Sequence, residues 1–255
     1  MKKILITLGG MALISIVLGW TLRGKISSFF SAENLAKDSL GIAIEHLNDG
    51  KPDAALRKLG GALKLKPDYA EAHYYAAKAL EMRGDSTEAI IGEYKKAIEL
   101  KQNYVEARQD LGLLYFGRGD YEGARQEFEK IIEIEPTNVV IYNNLGQLHA
   151  TLKEYKKAEE FFRRAIDLMP NYDFALNNLG NLYFNQGRWS EAREFFEKSL
   201  LVDPKSGRVH YFLAQIAEKQ KDKPKATEHW EKAIELGLKG DELKEAQERL
   251  KALKK

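Results

Sequence analysis

The sequence predicts an all-α protein: a helical solenoid preceded by a single membrane-spanning helix. Three observations carry the prediction. Asn-Asn-Leu-Gly at 143–146 recurs at 177–180, thirty-four residues later. Alanine returns on the same beat at Ala55, Ala89, Ala124, Ala158, Ala192 and Ala226. A bulky residue follows each by four or five places: Leu59, Tyr94, Phe128, Phe162, Phe196 and Trp230. Finally, the first 25 residues carry an unbroken uncharged run, Ile4 to Leu22, between Lys2-Lys3 and Arg23 with Lys25. A period near 34 means stacked supersecondary units that bury their apolar faces only against neighbours.

Composition narrows the function classes. The chain has 255 residues, 31% charged, with a net charge of +2. A near-balanced charge disfavours a nucleic-acid binder, which needs a basic stripe. The chain has no cysteine, so disulfides, thiolate metal sites and cysteine nucleophiles are excluded.

Residues 1–25 read as a transmembrane anchor or uncleaved signal-anchor. The run from residue 4 to 22 spans roughly 28 Å as a helix, enough for the hydrocarbon core. A cleaved signal peptide competes with this reading. Its apolar region is usually shorter, about 7–15 residues, and no good small-x-small cleavage site follows the run. The positive-inside rule, by a margin of one charge, puts the N-terminus in the cytoplasm and the rest on the extracytoplasmic (periplasmic) side. The protein is thus expected to be single-pass. Residues 26–35 read as a juncture, with Phe29 and Phe30 suited to the membrane edge or to packing on the first repeat.

Six units fill residues 36–240. Taking Ala36, Ala70, Val105, Val139, Asp173 and Gly207 as position 1, position 7 is Ile42, Ala76, Leu111, Leu145, Leu179 and Leu213. Position 8 is always small: Ala43, Ala77, Gly112, Gly146, Gly180 and Ala214. Position 27 is Ala62, Ala97, Ile131, Ala165, Ser199 and Ala233, and proline closes units at Pro67, Pro136, Pro170 and Pro204. This grammar resembles the tetratricopeptide repeat (TPR) family, over essentially the whole region after the first helix. The resemblance implies a right-handed TPR superhelix, an α-solenoid in which each unit is two antiparallel helices. Small residues at positions 8 and 20 would let the helices approach, and the large residue at position 24 would fill the gap to the next unit. Gly84, Gly119 and Gly187 are expected to turn the chain between helices.

Departures from the pattern have their own readings. The second unit is one residue longer, because Ala89 to Tyr94 spans five. The extra residue is placed among Ile90, Ile91 and Gly92, where a π-type bulge or kink would absorb it. The first unit has Pro52 at position 17, and the sixth has Leu238 in place of proline. Residues 241–255 read as a capping helix, with Leu243, Ala246, Leu250 and Leu253 on one face.

In the first helix of each unit, positions 2, 5, 6, 9, 12 and 13 lie opposite the packing face. In the family that side lines a concave groove. Here it carries Asn143, Asn144 and Gln147 in the fourth unit. The fifth supplies Phe174, Asn177, Asn178, Asn181, Phe184 and Asn185, and the sixth Arg208, Tyr211, Phe212, Gln215 and Glu218. A carboxamide can donate to a peptide carbonyl and accept from its N–H. Aromatic rings add contact area at low entropy cost. The six asparagines with Gln147, Phe174, Phe184 and Tyr211, ten residues, are the candidate peptide-binding set. The competing reading is that the asparagines are family background that hydrates the groove or bonds across neighbouring helices. A chaperone-tail clamp of the kind some TPR co-chaperones use needs Lys at position 5, where this chain has Leu40, Tyr74, Gln109, Asn143, Asn177 and Tyr211.

His73 and His210 at position 4, and His46 and His149 at position 11, read as helix-packing residues. No metal-ligand spacing, phosphate loop or nucleophile elbow is found, so neither cofactor nor catalytic site is expected. The charged runs Glu127–Lys130 and Lys153–Lys157 read as solvated faces. The sequence thus points to a non-enzymatic, membrane-anchored scaffold that holds a partner protein or peptide in its groove. The family resemblance implies an envelope, secretion, pilus or organelle assembly as its setting. A self-associating solenoid coat, or a secreted TPR protein after signal cleavage, are the alternatives.

Overall fold

The protein is described by a computed structural model over residues 31–254. The expected membrane helix at residues 4–22 and the juncture up to residue 30 lie outside the described residues. Among the described residues, no helix is long and apolar enough to cross a membrane.

Thirteen helices and no strand make up the described residues. They are α1 (Ala32–Asn48), α2 (Pro52–Leu65), α3 (Ala70–Arg83), α4 (Thr87–Leu100), α5 (Val105–Gly117), α6 (Tyr121–Ile134) and α7 (Val139–Thr151). Then follow α8 (Tyr155–Leu168), α9 (Asp173–Asn185), α10 (Trp189–Val202), α11 (Gly207–Lys219), α12 (Lys223–Glu235) and α13 (Gly240–Leu253). The first twelve form six pairs. They divide into two compact units, one reaching to Leu111 and one starting at Gly112.

Local chemistry sets the helix boundaries. Ser31, Ser86, Asp120, Asn138 and Asp222 each accept a hydrogen bond from a backbone N–H of the helix they precede. Ser31 starts α1 at Ala32, so the last residues of the expected juncture are already helical. Pro52 opens α2, where its missing N–H costs no intrahelical bond. Between the helices of every pair, position 15 is left-handed: Gly50, Gly84, Gly119, Lys153, Gly187 and Lys221 all have φ between +59° and +80°. Four of these six are glycine, which adopts this conformation without a Cβ clash. Lys153 and Lys221 adopt it against their preference.

The extra residue of the second unit does not bulge a helix. α4 is α-helical throughout, with the same length as α6, α8 and α10. The insertion sits in the turn: Asp85 and Ser86 separate left-handed Gly84 from α4, whereas one residue suffices after Gly119. A solvated turn absorbs an added residue without breaking a helix ladder. Ile90 therefore takes the buried place held by Ala124 in the next unit, and Ala89 is exposed. Position 20 thus tolerates a branched side chain in the second unit.

The core repeats one contact. Ala124, Ala158, Ala192 and Ala226 are fully buried, as are the position-27 residues. The position-24 ring lies on the position-8 residue of its own unit. A Cβ built on Gly112, Gly146 or Gly180 would meet the ring of Phe128, Phe162 or Phe196 at 2.6, 2.5 and 2.7 Å. The expected role as a filler toward the next unit also holds for Phe196, which stacks on Phe212 with centroids 5.3 Å apart. In these three units glycine at position 8 makes room for the phenylalanine ring, whereas Ala214 shares its cluster with Trp230.

Position 4 has a role that periodicity does not show. His73 Nε2 lies 3.1 Å from the Pro67 carbonyl oxygen, and Tyr142 donates its hydroxyl to the Pro136 carbonyl at 3.1 Å. Arg108 donates to the Gln102 carbonyl at 2.9 Å. Each satisfies a carbonyl left over where the preceding helix stops. At the far end, Leu238 is buried with Trp230 and Ala246, against which Leu243, Leu250 and Leu253 also pack. An apolar residue replaces the closing proline there because α13 covers it.

Candidate functional site

Two cavities open on the first-helix face of α7, α9 and α11. The larger, about 520 Å³, is lined by Phe116, Gln147, Ala150, Thr151, Lys153, Tyr155, Phe162, Asn178, Asn181, Leu182 and Asn185. The smaller, about 260 Å³, is lined by Gln147, Phe174, Asn177, Asn178, Asn181, Phe196, Ser206, Arg208, Val209 and Phe212. Gln147, Asn178 and Asn181 border both, so carboxamides join the two cavities into one surface. Phe174 stands at its edge, 66% exposed. No aspartate or glutamate lines either cavity among the described residues.

Seven of the ten sequence-derived residues meet here: Gln147, Phe174, Asn177, Asn178, Asn181 and Asn185 line the cavities, and Phe184 supports them. The Phe184 ring lies edge-on to Trp189 and to Phe212, at 5.1 and 5.2 Å between centroids. Three residues sit elsewhere. Asn144 is half-buried and lines neither cavity. Asn143 is buried, with 5% exposure. Tyr211 is buried under α13, edge-on to Trp230 at 5.3 Å, and donates its hydroxyl to Glu245 Oε2 at 2.6 Å. Burial and this carboxylate together push its phenol up to about 12.

Part of the polar face serves the fold. Asn178 Nδ2 donates to Asn143 Oδ1 at 2.9 Å, joining position 6 of one unit to position 5 of the unit before. Tyr74 donates to Asp110 Oδ2 at 3.0 Å between the same two positions, and Lys78 reaches the same oxygen at 3.1 Å. At the next such pairing Phe212 faces Asn177 and offers no polar partner. Asn177 Nδ2 donates to Asp173 Oδ1 at 2.9 Å, which fixes the amide orientation, and its Oδ1 is left buried with no partner among the described residues. Asp173 also accepts from the buried Ser199 hydroxyl at 2.5 Å. That bond accounts for a serine at an otherwise apolar core position. Gln147 and Asn181 differ from Asn178. Their side-chain amides make no hydrogen bond among the described residues and are open to a ligand.

The candidate set left out several lining residues, among them Phe116, Lys153, Arg208 and Phe212. Spacing put Phe212 and Arg208 on the correct face, but the candidate set took Tyr211 in their place. Phe116 belongs to the preceding unit. Lys153 reads as part of a solvated run. The available signal was the absence of glycine at position 15, which places the lysine on the turn at the cavity mouth.

Comparisons with known proteins accord with this architecture. Four tetratricopeptide repeat models match residues 40–105, 93–126, 110–171 and 150–216, an unbroken stretch covering most of the chain. No curated protein matches. Among solved structures, Pseudomonas aeruginosa PilF is similar at 19% identity, with 86% of this chain and 99% of that one covered and a TM-score of 0.72. PilW, a widely conserved type IV pilus biogenesis factor, is similar at 18% identity over 83% of this chain and 98% of that one, with a TM-score of 0.70. YrrB, a TPR protein with an unusual peptide-binding site, is 24% identical over 74% of this chain and 97% of that one, with a TM-score of 0.58. The repeat grammar, the helix pairs and these matches agree: the chain belongs to the tetratricopeptide repeat family.

Proposed function

We propose that this protein is a membrane-anchored scaffold that holds an extended segment of a partner protein across the face of α7, α9 and α11. The observation that carries the reading is the pair of cavities joined by carboxamides, two of which, on Gln147 and Asn181, have no intramolecular hydrogen bond among the described residues. Such amides pair with a peptide backbone in any sequence, while Phe174 and Phe212 offer apolar contact. The TPR fold serves as a protein-interaction scaffold, and YrrB, which shares it, carries a peptide-binding site. The apolar run at residues 4–22 supports anchoring, with the repeats on the extracytoplasmic side.

Site-specific photocrosslinking in the native membrane tests the reading. A photoreactive residue at position 181 or 147 of the full-length protein is expected to give a discrete adduct. The same probe at exposed Glu160, on a second helix, is expected to give none. Equal labelling at all three positions would remove the groove from consideration. A carbonate wash tests the anchor separately: full-length protein is expected to stay with membranes.

A further inference from the structure

The charges around the two cavities carry a statement about the partner. The chain as a whole is nearly balanced, with 40 basic and 38 acidic residues. Locally the balance is lost. Each cavity is lined by one cation, Lys153 in the larger and Arg208 in the smaller, and neither by a carboxylate among the described residues. Lys153 has no ion pair among the described residues, and the adjacent Glu154 pairs with Lys157 instead. Arg208 has a single exposed partner, Glu242 at 3.7 Å, and its guanidinium lies over the Phe212 ring at 5.7 Å. The backbone adds a second, independent observation. Lys153 occupies the left-handed turn position with φ +60°, where four other turns use glycine. A lysine held there against its conformational preference puts a long cationic side chain at the cavity mouth, which glycine would not.

We propose that this groove selects an acidic partner segment, with Lys153 and Arg208 each meeting a carboxylate side chain on either side of the carboxamides. The inference rests on the reading of this face as a peptide groove and adds the class of peptide. The carboxamides hold the backbone of any extended chain. The two cations favour aspartate or glutamate and disfavour lysine or arginine at those places. Because both cations are exposed, each contributes modestly and the attraction is screened by salt.

The test uses the full chain in detergent micelles. Binders are selected from a random peptide library and synthesised with both ends capped, so that no terminal carboxylate takes part. Each is compared with its counterpart in which Asp and Glu become Asn and Gln. The selected peptides are expected to be enriched in acidic residues, and the amide counterparts to bind about tenfold more weakly at low salt. The double variant K153Q–R208Q, which keeps both stems, is expected to lose the same factor and to stop distinguishing acid from amide. K221Q, the other left-handed lysine, lines a different cavity beside Glu218 and is expected to bind like the unaltered chain. Peptides that weaken with Q147A–N181A but bind equally as acid and amide would overturn the acidic preference and leave the groove standing. Selected peptides indifferent to Q147A–N181A would overturn both.

Discussion

The two compact units use glycine in opposite ways. In the unit ending at Leu111, the helical glycines Gly41, Gly60, Gly61 and Gly92 have nothing within 4 Å of where a Cβ would stand. In the unit beginning at Gly112, three glycines lie under phenylalanine rings that a Cβ would strike. The first kind weakens its helix and packs against nothing. The second kind is what lets a Phe ring close over the first helix. In the first unit the corresponding residues are Ala43 and Ala77, and the position-24 residues are Leu59 and Tyr94. One repeat grammar thus contains two packing solutions, and only the second makes glycine a structural requirement.

The largest effects that would break this comparison come from crowding the second unit. Ala158→Trp or Ala192→Trp puts an indole at a fully buried alanine, and Gly146→Ala pushes a methyl into the Phe162 ring. Overpacking of this kind costs about 1–3 kcal/mol, at the upper end or beyond for tryptophan. Denaturant unfolding is expected to show the loss. A tryptophan variant as stable as the parent would mean that these alanines do not line the helix contact. By contrast, each of Gly41→Ala, Gly60→Ala, Gly61→Ala and Gly92→Ala is expected to stabilise by about 0.5–1 kcal/mol. Destabilisation by the set would erase the distinction between the units.

Next in size is the asparagine stitch. Asn178→Ala leaves the Asn143 Oδ1 acceptor buried without a donor, which costs about 1–3 kcal/mol. On propensity alone, alanine at 178 would hold or raise stability, and the structure reverses that sign. Asn181→Ala removes no intramolecular bond and is expected to leave the unfolding midpoint within error while weakening partner crosslinking. If both variants lose stability equally, the division between stitching and open carboxamides fails.

Acid tests a further feature of the second unit. His210 Nδ1 and His229 Nδ1 lie 2.9 Å apart, so one donates and the other accepts while at least one ring is neutral. Burial is the main cause of both depressed pKa values; the neighbouring His210 and Lys232 add to it for His229, which is lowered to about 4. A folded-state pKa below the unfolded value means that the unfolded chain binds more protons. Stability is therefore expected to be full above about pH 6.5 and to fall as pH drops toward 4. The loss is of order 1–3 kcal/mol. His229→Gln should flatten that part of the pH–stability curve; an unchanged slope would place the acid sensitivity elsewhere.

How much of this was legible depended on distance along the chain. The helix pairs, their buried alanines and the cap are written in a 34-residue period that any unit repeats. The insertion was misplaced because Ala89 mimics the alanine beat one place early, and sequence cannot show that Ile90 takes the buried seat. The carboxamide face was legible from α-helical spacing together with the family resemblance, which implies that this side lines a groove. Which carboxamides are already paired was not, because Asn143 and Asn178 meet across two repeats. Tyr211 was read as groove-facing because nothing in its own repeat reveals that Glu245 of the cap helix claims its hydroxyl. Lys153 was hidden for a conformational reason: a left-handed turn is recognised by its glycine, and here the glycine is missing.

That missing glycine gives the smallest effect. Lys153 and Lys221 hold φ near +60°, a conformation that costs a residue with a Cβ about 1 kcal/mol relative to glycine. Part of that gain is offset because glycine also frees the unfolded chain. Lys153→Gly and Lys221→Gly are each expected to raise stability by about 0.5 kcal/mol, a shift of a degree or two in melting temperature for a unit of this size. Gly119→Ala and Gly187→Ala run the same test in reverse and should lower it by a similar or larger amount. The two lysines then diverge in function. Lys221→Gly is expected to leave peptide binding unchanged, whereas Lys153→Gly gains stability and loses part of the acidic preference, the share of Arg208 remaining. A gain in stability with no change in peptide preference would show that the turn tolerates lysine for no functional reason. Opposite movements of stability and binding would show that the strain at Lys153 is retained because its ammonium is used.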